Sequence, residues 1–168
     1  MRARVDTDLA ACVRLAEVVH ASDGYPVYRP EDLRSFIAVP SALAAWVAVH
    51  GGDVVGHVAL HPGSSAAVID LAVEATGLSA TRLGVVARLL VSPHVRRVGI
   101  GRSLLDVAAG HAAQLGLRPI LDVVERHEAA VKLYEDSGWT RAGKVTVTLG
   151  QDVAIDELVF LGPEPAVP

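Results

Sequence analysis

The chain alternates between two hydrophobic periods, and each predicts an element. Leu9, Cys12, Val13, Ala16 and His20 share one face at helical spacing, which predicts a helix to about Ala21. A short edge strand over Arg2–Val5 precedes it, and Asp6, Thr7 or Asp8 can cap it. Ser22 to Pro30 is rich in turn formers and aromatics and reads as a loop. Pro30 at a first helical position, with Glu31 and Asp32 beside it, predicts a second short helix through Phe36 and Ile37, ended by Pro40. Ala44–His50 and Asp53–His61 flank Gly51-Gly52, the spacing of a hairpin. Trp46 is expected in the core, and Gly56 marks a bulge or a close approach by another backbone.

Pro62-Gly63 breaks the strand pattern, and Ser65–Ala75 returns to helical spacing through Val68, Leu71 and Ala72. Thr81–Val91 is a long, mostly apolar strand in which Gly84 is placed to interrupt pairing. A helix follows from Gly101 to about Leu115, with Ile100, Leu104, Val107, Ala108, His111 and Leu115 expected on its inward face. The remaining segments are a strand over Pro119–Val124, a helix over Glu128–Ser137, and strands over Trp139–Thr148 and Asp156–Leu161 joined near Gly150-Gln-Asp152. This order predicts one mixed α/β domain over residues 1–162, followed by a disordered tail over 163–168.

Candidate chemistry first gathers at Arg96-Arg-Val-Gly-Ile-Gly101, between a strand and a helix. The first turn of a helix exposes N–H groups without an internal acceptor, and the helix dipole adds partial positive charge. Glycines let a ligand approach the backbone, and Arg96, Arg97 and Arg102 add full charges. Together these suit a phosphate or pyrophosphate. Taken alone, the hexapeptide serves equally well as an ordinary turn with solvated arginines.

The next helix adds a second motif. Arg96-Arg-Val-Gly-Ile-Gly101 resembles the pyrophosphate loop of the GNAT superfamily of N-acetyltransferases, and Ala130-Val-Lys-Leu-Tyr-Glu-Asp-Ser-Gly-Trp139 resembles that family's Ala-x-x-Leu-Tyr-x-x-x-Gly-Phe helix. The two motifs occur in order, separated by one helix and one strand, and the close resemblance covers roughly Val86 to Trp139.

The resemblance implies an α/β (α+β) fold: a mixed, mostly antiparallel central sheet flanked by helices, with splayed parallel central strands at Thr81–Val91 and Pro119–Val124 that make a wedge for acetyl-CoA. The pantetheine arm would pair with Leu89 and Val91 as an added strand. The pyrophosphate would meet the amides of Val98, Gly99, Ile100, Gly101, Arg102 and Ser103, with Arg96, Arg97 or Arg102 on the phosphates of the adenosine half. The N–H of Leu90 or Val91 would hold the developing oxyanion, and Tyr134 would protonate the departing thiolate. His127 stands where the family often has asparagine and is expected at the pantetheine or at the solvent-facing start of the helix. Ala130 should stay small where the cofactor packs. Tyr25 and Tyr28 would line the acceptor site. The implied reaction is attack of a primary amine, on a small molecule or a protein, on the thioester. The alternative is a non-catalytic module that binds acyl-CoA. For the general base the central strand offers no carboxylate, only Arg82 and Arg88, and Asp23, His57, His61, Asp70 and Glu74 remain candidates.

Composition narrows the partners. Apolar residues make up 51% of 168 positions, so a packed core is expected. A net charge of −4 favours no nucleic acid, and a third reading of the basic turn as part of a helix-turn-helix sits poorly with it. No apolar run suggests a membrane span, and the N-terminal residues lack the apolar stretch of a signal peptide, which predicts a cytoplasmic protein. Cys12 is the single cysteine and is expected to pack. The seven histidines show no ligand spacing, are expected at the surface or half-buried, and predict no metal site. Homodimers are common among similar proteins.

Overall fold

The computed structural model describes residues 1–27, 30–96, 98–149 and 153–164. In chain order the elements are β1 (Arg2–Ala3), α1 (Leu9–Asp23), α2 (Leu33–Ile37), β2 (Ala44–His50), β3 (Asp53–His61), α3 (Ala66–Thr76), β4 (Leu83–Val91), α4 (Ile100–Gln114), β5 (Arg118–Val124), α5 (Glu128–Asp136), β6 (Thr140–Leu149) and β7 (Val153–Leu161). One-turn 3-10 helices cover Asp6–Asp8, Ala80–Arg82 and Pro93–Val95. The strands pair in the order β1-β2-β3-β4-β5-β7-β6. The β1–β2, β2–β3, β5–β7 and β6–β7 pairs are antiparallel, and β4–β5 is parallel. Among the described residues, no helix is long and apolar enough to cross a membrane.

The chain forms two compact units. The first comprises Met1–Leu60 and Arg88–Ala108; the second comprises His61–Ala87 and the residues from Ala109 onward.

In the first unit α1 and α2 bury Leu9, Cys12, Leu15, Ala16, Val19, Leu33 and Ile37 in one cluster with Val47 and Leu90. Cys12 is fully buried, and burial pushes its thiol up to about 11, which makes it an inert packing group. The predicted hairpin has its observed bounds, and Gly56 sits beside a bulge at Val55, with side chains rather than another backbone closing on it. The β2–β3 register shifts after Ala48, the residue opposite Gly56. A Cβ on Gly56 would lie 2.7 Å from Leu104 Cδ1, 3.1 Å from Ile100 Cγ2 and 3.2 Å from Ala48 Cβ. Only a bare α-carbon lets the first turns of α4 pack this closely on β3.

Several local expectations need correction. Asp8 precedes α1 but makes no side-chain cap to it. Its carboxylate turns back to accept the Val5 N–H at 2.9 Å and both terminal nitrogens of Arg2, at 2.6 and 2.7 Å. The Arg2 bonds first, then the Val5 N–H, hold this carboxyl down at about 2. Pro30 lies outside α2, because Asp32 is the stronger start signal and accepts the Arg34 N–H at 2.9 Å. His57 and His61 are 0% and 5% exposed, so two of the histidines are core residues. Leu115, expected on the inward face of α4, lies past the helix end and is exposed.

In the second unit α3 starts at the Ser65 cap and packs Val68 and Ala72 with Leu83, Val85, Ile120 and Val159. Gly84 does not interrupt pairing; it sits opposite Pro119 in the parallel ladder. That ladder holds three residue pairs, Leu83–Arg118, Gly84–Pro119 and Val85–Ile120. Past it, β5 continues to Val124 in register with β7. The turn expected at residues 150–152 and the tail at 165–168 lie outside the described residues. At the end of the domain Gly162 donates its N–H to Pro119 O at 2.8 Å, and of the tail's described residues Glu164 pairs with Arg118 at 3.1 Å.

Candidate functional site

The glycine turn is built by capping on its N-terminal side. β4 ends at Val91, and the Ser92 N–H donates to Val55 O at 2.8 Å. The Ser92 hydroxyl accepts the His94 N–H at 3.4 Å and starts the turn Pro93–Val95. Gly99 adopts φ +83°, a left-handed conformation that glycine takes without strain. At the start of α4 the Ser103 N–H donates to Gly99 O at 3.0 Å. Ile100, Gly101 and Arg102 therefore open the first turn of α4, the end at which a helix dipole is positive. Nothing lies within 4 Å of a Cβ placed on Gly99, and Val98 is 71% exposed. Arg102 and Ser103 are exposed as well. The turn is open to solvent and carries no acidic residue in its first helical turn. This is the arrangement an oxyanion needs.

Arg96 is engaged differently from the expectation. Its two terminal nitrogens grip both carboxylate oxygens of Asp23, one at 3.0 Å and the other closer. Its Nε and one terminal nitrogen also donate to Val91 O, at 3.4 and 3.3 Å. Arg96 thus ties the end of α1 to the end of β4, and Asp23 is committed to an ion pair. Arg97 and Tyr28 lie outside the described residues.

Upstream of the turn, Arg88 has φ +53° in the body of β4, and it is the non-glycine residue with positive φ among the described residues. That conformation costs about 1–2 kcal/mol, so neighbours must impose it. His57 faces its carbonyl, with Nδ1 at 3.0 Å from Arg88 O, while His57 Nε2 lies 3.1 Å from an Arg4 terminal nitrogen. Arginine only donates, so Nε2 accepts and Nδ1–H donates to Arg88 O. The same Arg4 nitrogen donates to Ile37 O at 2.6 Å. Arg88 Nε donates to Phe36 O at 3.2 Å, and the guanidinium carbon lies 4.7 Å from the Phe36 ring centre. Tyr25 meets Phe36 edge to face at 6.2 Å, and His20 Nδ1 donates to Pro26 O at 3.0 Å in the same loop. His57 is consumed by this network and offers no lone pair for a base. Leu90 is fully buried, and Leu89 and Val91 are half-buried.

The second unit holds the other expected residues. His127 starts α5, and its carbonyl accepts the N–H groups of Ala130 and Val131 at 2.9 and 3.1 Å. His127 and Ala130 are half-exposed. Tyr134 is 7% exposed, with its ring 5.8 Å from Phe160 and 6.4 Å from Trp139. Asp70 and Glu74 are exposed on α3.

One group the sequence reading passed over is Glu157. Cross-strand pairs Asp122–Val159 and Val124–Glu157 place Asp122 and Glu157 diagonally on one face of the β5–β7 ladder. The Ser64 hydroxyl donates to Asp122 at 3.0 Å. Burial first, then the Asp122 charge, pushes the Glu157 carboxyl up to about 7. A carboxyl group in that range can exchange a proton at neutral pH. Among the described residues, no three His, Cys, Asp or Glu side chains are grouped to hold a metal ion.

A mixed sheet with one short parallel pair, followed by an open glycine turn at a helix start, defines an α/β protein with a solvent-open turn at the end of β4. The chain belongs to the GNAT acetyltransferase family, whose profile matches residues 9–139. A mycothiol acetyltransferase of Geodermatophilus obscurus is 47% identical over 60 residues, 35% of this chain and 20% of that protein. This match spans about a fifth of that relative's length. The fold is shared with Arabidopsis thaliana NAA60 in complex with acetyl-CoA, at TM-score 0.71 and 17% identity over 96% of both chains. It is also shared with yncA of Salmonella typhimurium with acetyl-CoA, at TM-score 0.69 and 18% identity over 99% of this chain and 95% of that one.

Proposed function

We propose that this protein transfers an acetyl group from acetyl-CoA to a primary amine. The observation that carries the reading is the solvent-open turn at Val98–Ser103, where glycine geometry meets the positive end of the α4 dipole in a chain of the GNAT family. The fit extends to the residues around it. Arg102 and the amides of residues 98–103 hold the pyrophosphate, and the edge of β4 at Leu89–Val91 takes the pantetheine amides. Arg96 acts through Asp23 and Val91, shaping the loop.

In the reaction the neutral amine nitrogen bonds to the thioester carbonyl carbon, and the carbonyl oxygen gains charge beside the Leu90 or Val91 N–H. The carbon–sulfur bond then breaks, Tyr134 gives its phenolic proton to the thiolate, and the amine's extra proton leaves to a base or water. Acetyl-CoA-bound proteins of the same fold support the donor.

The test is release of free thiol from acetyl-CoA against a broad panel of amines, with thermal stabilisation by CoA read in parallel. Amine-dependent thiol release is expected. CoA binding without turnover on any amine replaces this reading with the non-catalytic acyl-CoA module.

A further inference from the structure

Among the described residues Arg4 and Arg88 are half-buried arginines without a carboxylate, and Arg4 spends a terminal nitrogen on Ile37 O and His57. Arg2 is neutralised by Asp8, Arg96 by Asp23 and Arg118 by Glu164. Among the described residues no carboxylate faces Arg88: its hydrogen bond goes from Nε to Phe36 O, and its terminal nitrogens make none. The guanidinium is nonetheless held firmly. The Arg88 backbone sits at φ +53°, its carbonyl takes the His57 Nδ1–H at 3.0 Å, and the guanidinium carbon lies 4.7 Å from the centre of the Phe36 ring, which Tyr25 meets edge-on. Arg4 in turn fixes His57 and Ile37 O, so the posture of Arg88 is determined from three elements. A guanidinium without a counter-charge, backed by an aromatic wall and with one nitrogen pair unused, is built to receive a planar oxyanion two-pronged. It also stands one residue before Leu89, where the proposed pantetheine ladder begins.

We propose that Arg88 binds an anionic group of the acceptor, so that the preferred amines carry a carboxylate, as α-amino acids do, with Phe36 and Tyr25 as the adjoining wall. The inference rests on the acetyl-transfer reading and deepens it. His57 and Arg4 are positioning residues: they hold the Arg88 backbone and touch no substrate.

The test compares L-amino acids with their amides and with the matching decarboxylated amines, and aminoalkyl phosphonates serve as a second oxyanion. Each is assayed for thiol release with wild type, Arg88→Gln and Arg88→Lys. Binding of the same compounds to the CoA-loaded protein is measured by calorimetry. Wild type is expected to favour acids over amides by about 10–100-fold in kcat/KM, as charged hydrogen bonds of this kind supply. Arg88→Gln is expected to erase that preference with CoA affinity unchanged, and Arg88→Lys to restore part of it. Phosphonates preferred over carboxylates with the same Arg88 dependence assign the site to tetrahedral oxyanions. Neutral amines turned over as well as acids, or an acid preference that survives Arg88→Gln, overturns the inference and leaves acetyl transfer standing. Absence of turnover with every amine defeats the functional reading, and calorimetry then decides the anion site alone: acids that bind wild type and Arg88→Gln equally overturn it.

Discussion

The first unit surrounds its arginines with carbonyl oxygens and single carboxylates, whereas the second leaves two carboxyl groups side by side on a sheet face. Arg4 donates to Ile37 O, Arg88 to Phe36 O, and Arg96 to Val91 O and Asp23. Asp122 and Glu157 lie diagonal to one another across β5 and β7, and Glu157 is lifted to about 7. Arginine stays charged at every accessible pH, so the first arrangement is a fixed positive field suited to binding. A crowded carboxyl group changes charge near neutrality, so the second arrangement makes stability follow pH.

The strongest way to break this contrast is to put a carboxylate into the cationic turn. Gly101→Glu is expected to weaken CoA binding more than 100-fold, roughly the loss of a phosphate site, while the melting temperature changes little. Calorimetry with CoA reads it, and retained affinity removes the turn from the binding site. On the second unit's side, Tyr134→Phe is expected to lower turnover by about 100–10,000-fold with CoA affinity kept, the usual scale for losing a general acid. Unchanged kcat reduces Tyr134 to a ring packed on Phe160 and Trp139.

Packing offers a smaller and more direct comparison. Gly56→Ala forces a methyl to within 2.7 Å of Leu104 and also crowds Ile100 and Ala48. Gly143→Ala meets the ends of a single side chain, Leu71, at 3.1 Å. Overpacking costs about 1–3 kcal/mol when neighbours cannot yield, so Gly56→Ala is expected in that range and Gly143→Ala near its bottom. Urea denaturation of both variants ranks them, and the reverse order shows that α4 yields more readily than α3.

What the sequence disclosed follows the range of the interactions. The β2–β3 hairpin and the Gly101 turn are local patterns, and the structure has them where expected. The Asp23–Arg96 pair joins residues 73 apart, and the His57–Arg88 contact joins residues 31 apart, so neither is visible as a spacing. Gly84 was the natural suspect for irregularity in β4, yet the irregular backbone is at Arg88, because His57 and Phe36 impose it from other elements. A signal was present there: an arginine inside an apolar strand with no acid beside it. Glu157 gave none, since its neighbour Asp122 is set by strand register alone.

The smallest expected effect separates the two regions by pH. Glu157 titrates near 4.5 in the unfolded chain and near 7 in the fold. Below the lower value both states are protonated and nothing is lost. Between the two the unfolded chain releases a proton that the native state still holds, so stability falls as pH rises and levels off above 7. The group is about half screened by solvent, so the loss is on the order of 1 kcal/mol rather than the full linkage value. Asp8 acts with the opposite sign and elsewhere: its carboxyl is held at about 2, so its contribution is lost only as pH falls below about 4. The window from pH 5 to pH 8 therefore isolates Glu157 from Asp8. Glu157→Gln is expected to flatten urea-derived stability across that window and to match or exceed wild type at pH 8. An unchanged pH slope in the variant means that neither burial nor the Asp122 charge lifts Glu157, and the contrast between the two units then rests on the arginines.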